Sequence, residues 1–301
     1  MGYRVEQPSV SAQQLNASFL KKLEDGNIKQ AAMEGSAFIR SKLRQESFFR
    51  EILNPVTLTD EEIDRDEFTD LPKKIVEIEP DSVATFVPFK GAGPRTWFKG
   101  PRYSIYFGKV ESQRFNKSKF ELMTYQNDIR KILADNSVKD MADQEDQKGY
   151  DTLSAIIAAS PGQGIAPAGG LTATNIKLGL KNLISRKQPV GKLLMTKELY
   201  YDTLDLPATS VGNDVASRHY DDGVEKEEKL FGIPVITTIK NEIIPNNEVW
   251  VLAPENYLGN FFLLQDATLF IKQEADRIEF FSYSAPGIGI GNTAGVTRIR
   301  L

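Results

Sequence analysis

Residues 118–148 constrain the fold most, because they are predicted to form one uninterrupted helix. Ser118 and Glu121 form a capping box: the serine side chain accepts from the N–H three residues on, and the glutamate accepts from the serine N–H. At ~1.5 Å per residue this helix would be about 45 Å long, so we expect the rest of the chain to cover it. The apolar face, which rotates around residues 134–136, has a helical spacing and comprises Leu122, Tyr125, Ile129, Ile132, Leu133, Val138, Met141 and Ala142.

The composition is ordinary for a folded protein and is not basic. The 301 residues are 41% hydrophobic and 26% charged, with a net charge of −4, and this balance gives no overall attraction to nucleic acid or anionic lipid. Cysteine is absent, which excludes disulfides, thiolate metal sites and a cysteine nucleophile. We find no 18-residue apolar run and no secretion signal, and therefore expect a soluble intracellular protein.

Short amphipathic helices are predicted before Pro55. Ser11 and Gln14 form a second capping box, and Gly26 ends the first helix. A second helix starts near Ile28. No strand precedes these helices to close a domain, so we expect them to lie against something else rather than against each other.

A long hairpin, rich in basic and aromatic residues, is predicted between residues 75 and 107. Residues 75–78, 83–89 and 102–107 alternate as strands around a turn-rich tip at residues 90–94. Residues 82–119 contain eight basic residues and one acidic residue. Exposed aromatic residues on a protruding element indicate a partner surface.

Two partners fit the hairpin. Single-stranded nucleic acid would stack on its aromatic rings and place phosphates on its cations. The chain's own acidic surface is the other candidate, although a solvated loop is the simpler interpretation of the acidic block at residues 59–70. Because the total charge is not basic, we favour self-association. The predicted interface residues on the two surfaces are Lys90, Arg95, Trp97, Lys99, Arg102, Glu62, Asp64, Asp140, Asp143 and Asp146.

No catalytic or metal site is predicted. His219, the only histidine, lies beside two aspartates in a polar stretch; lacking a second histidine or a nucleophile, this stretch predicts a surface loop. The acidic block lacks the spacing of a calcium loop. The glycines at residues 287–291 are followed by no helix or acidic partner, so they do not fit a dinucleotide loop. We therefore expect no enzyme activity and no cofactor.

The second half of the chain predicts a mixed α/β region that ends in strands. Residues 160–170 are predicted as a flexible connector and residues 172–185 as a helix. Residues 295–301 are predicted to form an edge strand. The other predicted strands are residues 190–195, 230–238, 248–253, 261–264, 268–272 and 277–284.

Three segments carry a family resemblance. They are residues 231–235 (FGIPV), the aromatic residues 280–283 before the closing segment, and residues 100–103 with 112–115 leading into the capped helix. In this order the chain resembles the major capsid protein of tailed bacteriophages, the Hong Kong 97-type fold shared with encapsulin shells. The resemblance spans nearly the whole chain.

The resemblance implies an α+β capsid fold with a defined order of parts. Residues 1–74 would form an N-terminal arm with short helices, and residues 75–117 the extended hairpin loop with its base strands. Residues 118–189 would form the peripheral domain with its spine helix. Residues 190–275 would form the axial domain, and residues 276–301 would return to the peripheral domain.

The function implied is self-assembly into pentamers and hexamers of an icosahedral head around double-stranded DNA. Implied partners are further copies of the chain, a portal, a separate scaffold and decoration proteins, with weak non-specific contact to DNA and none to a membrane. The protein would be a virion component assembled in the host bacterial cytoplasm. We expect no lysine cross-link, because neither Lys90 nor Lys99 has an identifiable acid or asparagine partner. The alternatives are an encapsulin-type compartment for a protein cargo and a nucleic-acid-binding α+β protein that uses the hairpin.

Overall fold

The computed structural model describes residues 10–78, 84–95, 97, 100–124, 128–205 and 229–301. The helices are α1 (Val10–Glu24), α2 (Ile28–Glu46), α3 (Phe48–Ile52), α4 (Lys119–Thr124), α5 (Ile129–Leu133), α6 (Lys139–Ala159), α7 (Ala173–Ser185) and α8 (Lys197–Tyr201). The strands are β1 (Pro55–Thr57), β2 (Asp64–Arg65), β3 (Pro72–Glu77), β4 (Arg102–Tyr106), β5 (Val110–Glu111), β6 (Phe115–Ser118), β7 (Gly164–Ile165), β8 (Lys192–Thr196), β9 (Lys229–Leu230), β10 (Ile233–Thr238), β11 (Glu248–Leu252), β12 (Gly259–Glu274), β13 (Arg277–Ile290) and β14 (Val296–Arg300).

The long helix starts ten residues later than predicted. The capping box is confirmed, since Ser118 N–H donates to Glu121 (2.9 Å) and Glu121 N–H to the Ser118 hydroxyl (3.0 Å), but it begins only the short helix α4. Asp128 is a new N-cap, whose carboxylate accepts from the Lys131 N–H at 2.7 Å. A carboxylate that binds the first free N–H groups favours an extended residue before a helix. The prediction of one helix over residues 118–148 is therefore wrong.

A π-helical turn, Ala134–Val138, joins α5 to α6, and the three together form the long helix. The turn coincides with the residues where the apolar face rotates in the sequence. An i→i+5 turn inserts one residue into the α-helical repeat, which explains the rotation and brings Ser137 and Val138 into the core.

Two main sheets and a small one account for the strands. The first sheet has the order β1-β12-β13-β5, and β6 also pairs with β13. The second has the order β7-β14-β11-β8-β10-β9, and the third is β2-β3-β4. The main core cluster lies between α3, α6 and the two main sheets, with Phe49, Trp250 and Phe261 at its centre.

Several strand predictions need correction. β12 is one 16-residue strand with two register shifts rather than two strands, and β13 extends beyond the predicted strand end at residue 284, through the glycines at residues 287 and 289, to Ile290. β14 is an interior strand, because β7, in the predicted flexible connector, pairs with its outer edge. Residues 275 and 276, at the predicted domain boundary, lie in the turn between β12 and β13.

Helices α1–α3 pack into the core of their own chain. Leu20, Leu23, Ile39 and Leu43 join the long helix and the β12–β13 hairpin in one apolar cluster. Polar contacts fix the position, since the Leu269 N–H donates to the Ser36 hydroxyl at 2.9 Å. The expectation that these helices lie against something else rather than on each other is confirmed in part: α2 packs mainly on β12, and α1 contacts α4 as well as α2.

Gly149, in α6, permits the closest approach between that helix and α3. A Cβ at this position would overlap the ring of Phe49, which is fully buried. We expect Gly149→Ala to lower the free energy of unfolding by about 1–3 kcal/mol, the usual range for overpacking a core. Chemical denaturation measures this change. The matched control is Gly162→Ala, because a Cβ there meets nothing within 4 Å, and an equal loss in both variants would contradict the packing argument.

Candidate interaction surface

The hairpin base is a β3–β4 pair, which confirms that part of the prediction. The strands run antiparallel from Lys73 opposite Tyr106 to Glu77 opposite Arg102. Ile105 is buried and anchors β4 to the subunit body.

Alternate glycines make room for this base. A Cβ at Gly287 would lie 2.8 Å from the Phe107 ring, one at Gly289 would overlap Ile105, and one at Gly291 would lie 2.6 Å from the Tyr103 ring. Glycine in a strand marks a close approach of another segment. β4 therefore packs against these glycines, which superficially resemble a nucleotide-binding loop. The signal in the sequence is the matching period of two in residues 103–107 and 287–291.

Beyond its base the hairpin becomes an exposed loop. We call residues 84–95 and 97 the extended loop; they contain no strand, so the strand predicted over residues 83–89 is wrong for the residues that the structure describes. The side chains of Phe86, Phe89 and Trp97 are fully exposed. A tight turn closes between the Gly91 N–H and the Pro88 carbonyl at 2.7 Å.

The predicted basic interface residues lie on or near this loop. Lys90 and Arg95 are exposed, and neither forms an ion pair with any other described residue. Arg102 is exposed but pairs with Glu77 at 2.6 Å. Lys99 lies outside the described residues. Lys90, Arg95, Trp97 and Arg102 therefore remain predictions as interface residues.

Asp146 is wrong as an interface residue, because it is fully buried. Its carboxylate accepts hydrogen bonds from the Ser47 hydroxyl (2.8 Å), the Phe49 N–H (2.9 Å) and the Lys240 ammonium (2.6 Å). Burial raises the pKa of Asp146, and the charge of Lys240 opposes that shift. Asp143 also pairs with Lys240 at 2.8 Å, so both aspartates hold the subunit together.

A second buried ion pair lies beside the first. Arg50 of α3 and Glu145 of α6 form two hydrogen bonds, at 2.7 and 2.8 Å, and their side chains are 1% and 0% exposed. Burial alone would lower the pKa of Arg50, but the hydrogen bonds and charge of Glu145 raise it. The adjacent residues Glu145 and Asp146 thus attach the α2–α3 junction to the long helix.

The acidic block at residues 59–70 is folded, and two of its carboxylates accept hydrogen bonds from nearby residues. Glu62 accepts from the N–H and hydroxyl of Thr59 at 2.9 Å, and Asp64 accepts from the Ile75 N–H at 3.0 Å. Glu62 and Asp64 therefore have structural roles within the subunit, and their part in an interface remains a prediction. Among the predicted acidic interface residues, Asp140 is exposed and takes no partner from the part of the chain that the structure covers.

The turn that carries Asp66 should be sensitive to acid. Hydrogen bonds from Thr69 and then from Lys73 lower the pKa of Asp66 from 3.8 to about 2. A lowered pKa stabilises the folded state above pH 3.8, and that contribution is lost as the pH falls toward 2. We expect the Thr69 amide to lose protection from hydrogen exchange in this window. Asp66→Asn should remove the pH dependence, and an unchanged profile in that variant would contradict the assignment.

A cleft of about 1000 Å³ separates the loop base from the subunit body. Val76, Ile78 and Tyr103 line it on the side of the loop base. Val56 and Tyr257 face them from the body, and both are more than half exposed. The cleft is therefore open to solvent, and its walls carry polar as well as apolar side chains. The sequence gives no sign of it, because its walls come from distant segments.

The described residues contain neither a metal site nor a membrane-spanning helix. Within them no group of three or more histidine or carboxylate side chains is placed to hold a metal ion. No helix among the described segments is long and apolar enough to cross a membrane. The segment with His219, residues 206–228, lies outside the described residues.

Comparison with known proteins gives structural similarity only. No protein-family model and no curated protein sequence matches the chain. A virus-like particle from Pyrococcus furiosus matches with a TM-score of 0.54 at 16% identity, over 89% of this chain and 98% of that one. The Microbacterium phage Oxtober96 structure matches with a TM-score of 0.59 at 10% identity, over 85% and 90% of the two chains. The capsid of an empty GTA particle matches with a TM-score of 0.52 at 13% identity, over 85% and 89%.

These similarities confirm the predicted fold. The chain has the α+β, Hong Kong 97-type capsid fold. In terms of this fold, the exposed loop on the β3–β4 base corresponds to the predicted extended hairpin, and the long helix to the predicted spine. The division into arm, peripheral and axial domains at the predicted boundaries remains a prediction.

Proposed function

We propose that this chain is the major shell subunit of a tailed-phage head. Copies would assemble into pentamers and hexamers of an icosahedral shell that encloses double-stranded DNA. The observation that carries the proposal is the extended loop, since Phe86, Phe89 and Trp97 are fully exposed in the single chain. Aromatic side chains held away from the subunit body indicate a surface that another molecule covers.

The energetics of the loop favour association. An aromatic side chain buries 150–250 Å², which at about 25 cal/mol per Å² gives roughly 4–6 kcal/mol per side chain before the entropy of ordering is subtracted. A heterologous contact repeated around a ring closes it when the rotation matches. One loop per chain therefore suits a closed ring of copies.

The net charge of −4 supports only weak, non-specific contact with packaged DNA, because strong binding requires many neutralised phosphates. A portal, a separate scaffold and decoration proteins belong to the same proposal, as does assembly in the bacterial cytoplasm. The chain would act through assembly and not as an enzyme.

Light scattering with electron microscopy of the purified protein tests the proposal. We expect hollow particles tens of nanometres across, or rings of five or six subunits. A species that stays at the chain mass of 33.7 kDa, even when it is expressed together with its neighbouring phage genes, would contradict it.

A compartment that holds a protein cargo is the second candidate. The fold is also similar to that of a virus-like particle from Pyrococcus furiosus, with 98% of that chain covered. The content of purified particles distinguishes the two functions: nuclease-protected DNA supports the phage head, and a co-purifying enzyme supports the compartment. Salt-dependent nucleic-acid binding by a small species would instead support the hairpin as a nucleic-acid surface.

A further inference from the structure

We propose that the turn between β2 and β3 of one copy docks on the exposed face of α7 in a second copy. This turn, residues 66–71, is called the acidic turn here, and Phe68 lies at its middle. The contact does not involve the extended loop. It rests on the proposed function, because it joins two copies of the shell subunit.

The acidic turn holds an aromatic side chain in solvent on a fixed backbone. Phe68 is 93% exposed. The Asp66 N–H donates to the Leu71 carbonyl at 3.0 Å, and the Asp70 N–H donates to the Asp66 carbonyl at 3.1 Å. The Thr69 hydroxyl donates to the Asp66 carboxylate at 2.7 Å. An aromatic side chain on an ordered backbone loses little freedom on binding, and such residues are frequent anchors of protein interfaces.

The surface around Phe68 is apolar and anionic. Leu71 is 55% exposed, and Glu67 is exposed and forms no ion pair with any other described residue. Asp70 pairs with Arg65 at 3.0 Å, but the Asp70 side chain remains 72% exposed. Because complementary charges set the orientation of an interface, the matching surface needs apolar side chains surrounded by cations.

The outer face of α7 has these properties. The inner face packs on the second sheet, since a Cβ at Gly179 would overlap the Ile299 side chain of β14. On the outer face Leu178 is 42% exposed and Ile184 is 57% exposed. The helix contains no acidic residue. No described residue of the same copy therefore covers or neutralises this face.

Two lysines place positive charge beside the apolar residues of α7. Lys177 and Lys181 are exposed and form no ion pair within the described segments, although Lys177 lies 5.8 Å from the Phe231 ring of its own chain. Residues three and four apart are neighbours on a helix surface, so Lys181 lies between Leu178 and Ile184. A lysine stem packs on apolar groups while its ammonium stays outside. A ring seated on this stem would bring Glu67 to the ammonium groups.

The two surfaces do not meet within one copy. The acidic turn precedes β3, whereas Glu77 and Ile78, at the other end of β3, line the cleft together with Lys187, which follows α7. At ~3.3 Å per residue, β3 separates these two ends by roughly 17 Å. Each chain has one acidic turn and one α7 face, so the contact is heterologous and can repeat from copy to copy.

The absence of cysteine allows a direct test by cross-linking, with Phe68 left in place. Particles of E67C combined with K181C, treated with a short bismaleimide reagent, should shift on denaturing gels from 33.7 kDa to multiples of that mass. E67C alone should stay at the chain mass. So should D140C combined with K181C, which uses an exposed carboxylate of α6 instead.

Particles of E67C with K181C that stay at the chain mass would overturn the inference and leave the proposed function intact. A shift of D140C with K181C would make α6 the occupant of the α7 face, and would overturn the inference as well.

A charge exchange tests the same contact without cysteine. E67K and K181E should each lower the yield of particles about tenfold, and the double variant should recover it, because the attraction is restored with opposite sign. Normal yields from the single variants, or no recovery in a double variant that is folded by circular dichroism, would overturn the inference. A wild type that forms no particles would contradict the proposed function, and this contact with it.

Discussion

Arg50→Met should lower the free energy of unfolding by about 3–5 kcal/mol, the usual loss when one partner of a buried ion pair is removed. The substitution leaves Glu145 with no exposed surface and, of its present partners, only the Ser284 hydroxyl at 3.3 Å. Methionine retains the apolar volume of the arginine stem, so the loss reports the uncompensated charge rather than a cavity. Urea denaturation followed by circular dichroism measures it.

The double variant Arg50→Met with Glu145→Met gives the internal control. Replacing both partners of a buried pair with apolar residues is often neutral or stabilising, so the double variant should be more stable than Arg50→Met alone. Arg65→Met breaks the pair with Asp70, whose side chains are 74% and 72% exposed, and should change stability by less than about 1 kcal/mol. Equal losses in the three variants would contradict this account of the charge network.

Local chemistry made several elements predictable from the sequence. The capping box at Ser118, the end of α1 at Gly26 and the extent of the helix predicted over residues 172–185 depend on residues only a few positions apart. The start of the long helix was missed because Asp128 forms a competing cap inside an otherwise continuous apolar pattern. A helix start predicted from one capping residue is therefore wrong when a second capping residue of similar strength lies within three helical turns of it.

Pairing between distant segments was not predictable. β14 has the alternation of an edge strand, and only the packing of β7 beside it makes it interior. The place of α1–α3 depends on β12, more than two hundred residues later in the chain, through contacts such as Arg40 Nε to the Ala267 carbonyl at 2.8 Å. Neither partner can be identified from composition or periodicity.

The candidate interaction surface was likewise predictable only in part. The exposed aromatic and basic residues of the loop were found because a hairpin rich in both has no use in a subunit core. The acidic partner was only partly found, because Asp140, Asp143 and Asp146 look equivalent in the sequence. The structure separates them by burial: Asp146 is fully buried, Asp143 is partly exposed and shares Lys240 with it, and Asp140 is exposed.

Lys90→Glu with Arg95→Glu should lower the yield of particles at least about tenfold, since each 1.4 kcal/mol of lost contact energy is a factor of ten in an equilibrium constant. Both side chains are exposed and unpaired within the described part of the chain, so their reversal should leave the subunit folded. Where the loop meets an acidic surface of another copy, the new carboxylates would replace attraction with repulsion. Light scattering and electron microscopy at matched protein concentration measure the yield.

Lys29→Glu with Lys139→Glu provides the matched control for this reversal, because it makes the same change in net charge at exposed lysines of α2 and α6. Surface charges beyond a Debye length of about 10 Å at 0.1 M salt interact weakly, so a general charge effect should fall on both variants alike, and a specific contact should affect only the loop variant. The yield of the loop variant should also recover partly at high salt, where repulsion between exposed charges is screened. Normal particles from the loop variant at low salt would show that the loop cations take no part in assembly.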